Sequence, residues 1–142
     1  MNHEAVADTS FAVALGNKND PDHQACRLVH QQQRLIYLPQ STLTEVLFML
    51  RRELGSRAAA DYLEHLDLPI SKFQIIPLTS EDRIRTIQLL RTYADSRVDF
   101  VDASIAAVAE RLDIRRILTL DQRDFRIIRP SHIDYFELLP DI

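Results

Sequence analysis

The chain has 142 residues, 46% hydrophobic and 27% charged, enough for one sizeable core and too apolar for a disordered polymer. Its one cysteine, Cys26, excludes an intrachain disulfide or a cysteine-based zinc site, and its two glycines, Gly16 and Gly55, exclude a glycine-rich phosphate loop. The formal net charge of -4 excludes a uniformly basic nucleic-acid-binding surface, and no stretch approaches the roughly 18 apolar residues of a membrane span.

In chain order, residues 5–7 form a short strand that leads into Asp8. The turn Asn19-Asp20-Pro21 introduces a helix over 22–33, and residues 35–38 are a buried strand stopped by Pro39. A helix starts near Ser41, with Leu43, Val46, Leu47 and Leu50 on one face; Gly55 breaks it and residues 58–66 resume it. Residues 73–77 are the next strand. Thr79 and Asp82 have the spacing of a capping pair at the head of a helix over 82–93. Ile105, Val108, Ala109 and Leu112 mark a helix over 101–112, followed by strands at 117–120 and 133–136. Apolar strands alternating with helices predict an α/β fold of three layers, a central parallel sheet flanked by helices. In such sheets ligands bind beyond the carboxyl ends of the strands, which singles out acids that follow strands.

Asp8 and Asp121 each follow a predicted strand, where an Asp also serves as an ordinary helix cap. Asp99 and Asp102, three apart, share one face near the start of an apolar helix. Glu45 sits early in the Ser41 helix, either facing a site or belonging to a capping box with Ser41 or Thr42. Carboxylates converging at one sheet edge repel each other and call for a cation. Hard oxygen donors select magnesium, with manganese as the alternative, and that is a centre for phosphodiester hydrolysis.

Four segments, Val6-Ala7-Asp8-Thr9-Ser10, Leu43-Thr44-Glu45-Val46, Phe100-Val101-Asp102-Ala103-Ser104-Ile105-Ala106-Ala107 and Leu118-Thr119-Leu120-Asp121-Gln122-Arg123-Asp124-Phe125, resemble in order and spacing the PIN-domain ribonucleases. The resemblance is to the VapC type, the toxin half of bacterial toxin-antitoxin pairs. It implies a single PIN-like nuclease domain over residues 1–142, acting as a magnesium-dependent endoribonuclease. Asp8, Glu45, Asp102 and Asp121 would form the acidic quartet, with Asp8 and Asp102 the principal metal ligands. Asp99 and Asp124 would be auxiliary acids, and Thr9, Ser10 and Thr119 nearby hydroxyls able to orient metal-bound water. Attack by metal-activated water, in line with the leaving oxygen, would leave 5'-phosphate and 3'-hydroxyl ends on single-stranded or loop RNA. The resemblance also implies a homodimer and an antitoxin that covers the active-site groove, with the helix around Leu43 to Leu54 as its hydrophobic seat.

Of the late arginines Arg111, Arg115, Arg116, Arg123, Arg126 and Arg129, which could form a basic rim around the acids, Arg123 and Arg126 are candidates for RNA binding. The five histidines show no ligand spacing and most are expected at the surface, while Tyr62, Tyr93 and Tyr135 are expected in the core or at a rim. A phosphoacceptor signalling module is the rival enzyme-like class. It needs adjacent acids after the first strand and a late lysine, but Thr9 and Ser10 follow Asp8 and no lysine follows Lys72. A nuclease-dead PIN-fold interaction domain is the other alternative, and it would be signalled by loss of an acid of the quartet. The single cysteine and the absence of a secretory-type leader point to the cytoplasm, with no membrane partner.

Overall fold

The five strands all run parallel, in the order β3-β2-β1-β4-β5, in a computed structural model that describes residues 3–142. They are β1 (Glu4–Ala7), β2 (Leu35–Pro39), β3 (Phe73–Ile76), β4 (Arg116–Leu118) and β5 (Glu137–Leu139). The helices between them are α1 (Thr9–Gly16), α2 (His23–Gln32), α3 (Gln40–Leu54), α4 (Ser56–Leu66), α5 (Ser80–Thr92), α6 (Phe100–Arg111) and α7 (Arg123–Ile127). Successive strand side chains point to opposite faces, which divides the core in two. Val6 and Ile117 join the α5 and α6 side with Ile105, Val108 and Leu89. Ala5, Ala7, Ile36, Leu38 and Leu118 join Phe11, Cys26, Val29 and Leu43 on the other side. The predicted parallel, three-layer α/β architecture is therefore observed.

Three elements depart from expectation. Helix α1 had no sequence signal because Phe11, Ala12, Val13 and Ala14 are all buried, so no polar face marks its period. The last strand is at Glu137–Leu139, not 133–136: Ile133 and Phe136 pack into the core ahead of it, and the ladder pairs Glu137 with Arg116. The short helix α7, seated by buried Phe125, stands where only a loop was expected. Pro39 closes β2 from within, as its last residue opposite Ile76.

The capping pair expected from Thr79 and Asp82 is present: Asp82 N–H donates to Thr79 Oγ1 and Thr79 N–H to Asp82 Oδ2. The same Asp82 carboxylate, 1% exposed, receives the Arg111 guanidinium at 2.8 and 3.0 Å. Arg85 grips Glu110 in the same forked way, at 2.7 and 3.1 Å, so two ion pairs staple α5 to α6. Arg111 is thus a structural residue and belongs to no basic rim. Nor does Arg116, which bonds Gln33 and Glu137 from within β4.

Candidate active site

Sheet order sets the location. From β1 the chain moves outward to β2 and β3, then returns to β4 on the opposite side of β1, so β1 and β4 flank the point where the winding reverses. At such a point the connections diverge and leave a crevice beyond the carboxyl ends. A pocket of about 280 Å³ occupies this place, lined by Asp8, Glu45, Asp99, Asp102, Asp121 and Asp124 together with Thr9, Ser10, Met49, Arg97 and Val101.

Asp8 follows β1 directly and is 7% exposed. It occupies the cap position of α1, yet its side chain caps nothing there; the carboxylate Oδ2 instead accepts the Thr119 hydroxyl at 2.8 Å. Thr119 is fully buried and lies 3.3 Å from Ser10 Oγ, which accepts the Leu120 N–H at 2.9 Å. The Thr119 hydroxyl also reaches Asp121 O at 3.1 Å; when its one proton goes to the nearer Asp8, Ser10 donates to Thr119 and accepts from Leu120 N–H. Thr119 therefore braces a carboxylate from behind and is not among the residues that line the pocket. Ser10 and Thr9 do line it, and Thr9 Oγ1 is buried without a partner.

Asp99 and Asp102 form a reciprocal cap at the start of α6. Asp102 N–H donates to Asp99 Oδ1 at 2.9 Å, and Asp99 N–H donates to Asp102 Oδ2 at 3.1 Å. Both acids thus cap α6, a role that their shared face alone did not predict, and the cap fixes Asp102 with its second oxygen uncommitted. For Glu45 the capping-box alternative fails: α3 begins at Gln40, five residues earlier, and Ser41 Oγ is instead 3.0 Å from Ser104 Oγ. Asp121 is half exposed and lies between two guanidinium groups, Arg97 Nη2 at 3.7 Å and Arg123 Nε at 3.4 Å. Asp124 stands in the first turn of α7.

Electrostatics confirm the crowding. Burial pushes the Asp8 carboxyl up to about 6; its bonds from the Thr119 hydroxyl and the Thr9 backbone offset part of this, and the charges of Glu45 and Asp99 add to it. Asp102 is raised further, to about 8, first by burial and then by the charges of Asp99 and Asp8, against the opposing Asp99 N–H bond. Elevated carboxyls side by side are stabilised by a cation. Among the described residues no three acids form a ready cage. Magnesium is suited to such a place, because it is commonly held by one or two carboxylates and keeps several waters. Asp8 and Asp102 are the pair whose ionisation a cation would favour most.

The two candidate RNA-binding arginines are placed differently. Arg126 bonds Gln122 Oε1 and faces a separate hollow between α7 and β5, while Arg123 touches the site only through Asp121. Arg97 lines the pocket and was not foreseen; a lone arginine between Ser96 and Val98 carries no pattern of its own. His23, His30 and His132 each contact a backbone carbonyl, of Ala14, Ser71 and Ile114, so they are half-buried structural residues and not surface ones. Tyr135, expected in the core or at a rim, is 72% exposed and lines the hollow beside α7, at a rim.

The fold and the acidic crevice define a parallel α/β domain with an acid cluster at its winding reversal. The PIN domain model matches residues 5–129, and the chain belongs to that family. It is 24% identical over 136 residues to ribonuclease VapC26 of Mycobacterium tuberculosis, covering 95% of this chain and 99% of that protein. The structure is similar to that of M. tuberculosis VapC20, described as a sarcin-ricin loop cleaving toxin, with a TM-score of 0.74 at 24% identity over 84% of this chain and 91% of that one. VapBC2 of Rickettsia felis, solved on a DNA fragment from its promoter, gives a TM-score of 0.69 at 16% identity over 96% and 99% of the two chains.

Proposed function

We propose that this protein is a magnesium-dependent endoribonuclease, the toxin of a toxin-antitoxin pair. The observation that carries this reading is the convergence of Asp8, Glu45, Asp102 and Asp121 from four separate elements on one crevice. Relatives named as a ribonuclease and as toxins, alone or in toxin-antitoxin complexes, support it. Asp8 and Asp102 would hold the ion, with Glu45 and Asp121 beside them and Asp99 and Asp124 at the rim. Bound there, magnesium or manganese would supply positive charge for the phosphate oxygens and acidify a water.

The chain's own residues do the rest. Thr119 holds Asp8 in one orientation, and the α6 cap holds Asp102. Water oxygen bonds to phosphorus as the bond to the 3' oxygen breaks, and a proton passes to that oxygen, leaving a 5'-phosphate and a 3'-hydroxyl. Purified protein should cut single-stranded RNA with magnesium or manganese, leave 5'-phosphates and stop in EDTA. Cleavage that continues in EDTA, or in Asp8→Asn and Asp102→Asn, would overturn the reading.

The antitoxin would seat in the groove between α3 and α4. Leu43, Val46 and Leu50 face the core, so the expected surface moves to the other side of α3. There Leu47, Phe48 and Arg51 line a hollow with Ala59, Ala60 and Leu63, and Phe48 is 60% exposed. An amphipathic segment laying apolar anchors into this groove is the matching partner chemistry. A homodimer belongs to the same proposal, supported by the exposed Ile84 and Ile87 on α5. Sedimentation of wild type against Ile84→Asp tests it: a monomer in both would remove the dimer.

A further inference from the structure

Among the described residues, Arg97 is the one cationic side chain that lines the acidic pocket, which it shares with six carboxylates. Its place is fixed by the backbone. Ser96 Oγ donates to Tyr93 O and accepts the Val98 N–H, at 2.7 and 3.1 Å, and Val98 is buried, so the turn that carries Arg97 is pinned on both sides. The guanidinium itself is barely engaged: its one ionic contact is the 3.7 Å approach to Asp121 Oδ2, and 63% of the side chain remains exposed. Arg123 already serves the other oxygen of Asp121, so Arg97 is not needed as that acid's counter-ion. A held backbone, a loosely used fork and a position over an acid cluster together describe a group kept for an incoming anion.

We propose that Arg97 binds the phosphate under attack, an inference that rests on the ribonuclease reading. A phosphodiester carries a negative charge into a crevice of carboxylates, and a planar guanidinium can bond two of its oxygens at once. Arg97 exchanges one long contact with Asp121 for that forked contact. It thereby orients the phosphorus toward the attacking water and balances the charge that grows on the phosphate oxygens.

The test compares wild type, Arg97→Ala and Arg97→Lys on a defined single-stranded RNA oligonucleotide at saturating magnesium, with exposed Arg91→Ala as a control for lost charge. Arg97→Ala should lose about 10²–10³ in kcat/KM, the loss typical of removing one such donor. Arg97→Lys should regain only a minor part, and added guanidinium should partly rescue the alanine variant. The magnesium concentration for half-maximal rate should stay within about threefold of wild type, the margin left for a mere rearrangement of Asp121. A second readout needs no turnover. In an Asp102→Asn background, adding Arg97→Ala should reduce the slope of log Kd against log salt for RNA binding by about 0.7, one phosphate contact. An unchanged salt slope, or a rate defect that higher magnesium fully repairs, would show that Arg97 acts only through Asp121 and overturn the proposal. Wild type without metal-dependent cleavage would instead sink the ribonuclease reading and this proposal with it.

Discussion

Asp8 meets the pocket as a buried acid that accepts the Thr119 hydroxyl, and that bond makes Thr119 the most informative neighbour of the site. Thr119→Val keeps the shape and removes the donor. It should lower cleavage by tenfold or more, as loss of a group that orients a ligand commonly does, and leave the fold intact by circular dichroism. The protonation of Asp8 also carries a pH signature. Its folded value near 6 stands above the unfolded 3.8, so between these the folded state binds more protons, and stability falls as pH rises. For Asp8 the difference amounts to about 3 kcal/mol once complete. Urea titrations in EDTA should therefore show greater stability at pH 5 than at pH 8, and Asp8→Asn should flatten that difference. Asp82 has the opposite sign. Burial raises it, but the bonds and charge of Arg111 and the Thr79 cap outweigh this and hold it low, so its contribution is lost only in more acidic solution, below about pH 4. Most acids of the site were legible as residues because each follows or opens an element. The bond from Thr119 to Asp8 was not, since a contact across more than a hundred positions leaves no local trace.

At the scale of elements, the α3-α4 hairpin turns on Gly55, whose φ of +93° is unfavourable for any residue with a Cβ. Nothing lies within 4 Å of a Cβ built there, so Gly55→Ala should destabilise through backbone strain alone, by about 1 kcal/mol in thermal melts. The groove that this hairpin shapes is where Phe48→Asp should weaken an antitoxin complex at least tenfold by calorimetry, on the scale of a buried aromatic anchor. The α5-α6 pair depends on Arg111. Its replacement by Ala leaves Asp82 buried without its partner and should cost about 3 kcal/mol. These elements were legible to different degrees for one reason: amphipathic helices such as α3 and capped ones such as α5 leave a pattern. The buried helix α1, the short α7 and the strand β5 do not, because their positions are decided by contacts with the rest of the sheet.

For the molecule as a whole, the sheet order places an acid after β1 and another after β4 beside the reversal of winding, and α6 and α3 bring in the rest. The parallel sheet could be foreseen from strand and helix alternation. The strand order, and with it the crevice, could not, because it is set by which edges pair and not by any one segment. As proposed, Asp102 belongs to a cation-binding cluster and is more than the cap of α6. Asparagine at 102 can still accept the Asp99 N–H, so it spares the cap while removing the charge. Thermal melts of wild type and Asp102→Asn at pH 8, in EDTA and in magnesium, decide between the two roles. Asp102→Asn should be the more stable protein in EDTA. Magnesium should stabilise wild type by about 2.7 kcal/mol at 100 times its dissociation constant and the variant far less. Equal magnesium shifts in the two proteins, or a variant less stable than wild type in EDTA, would contradict the cation-binding role.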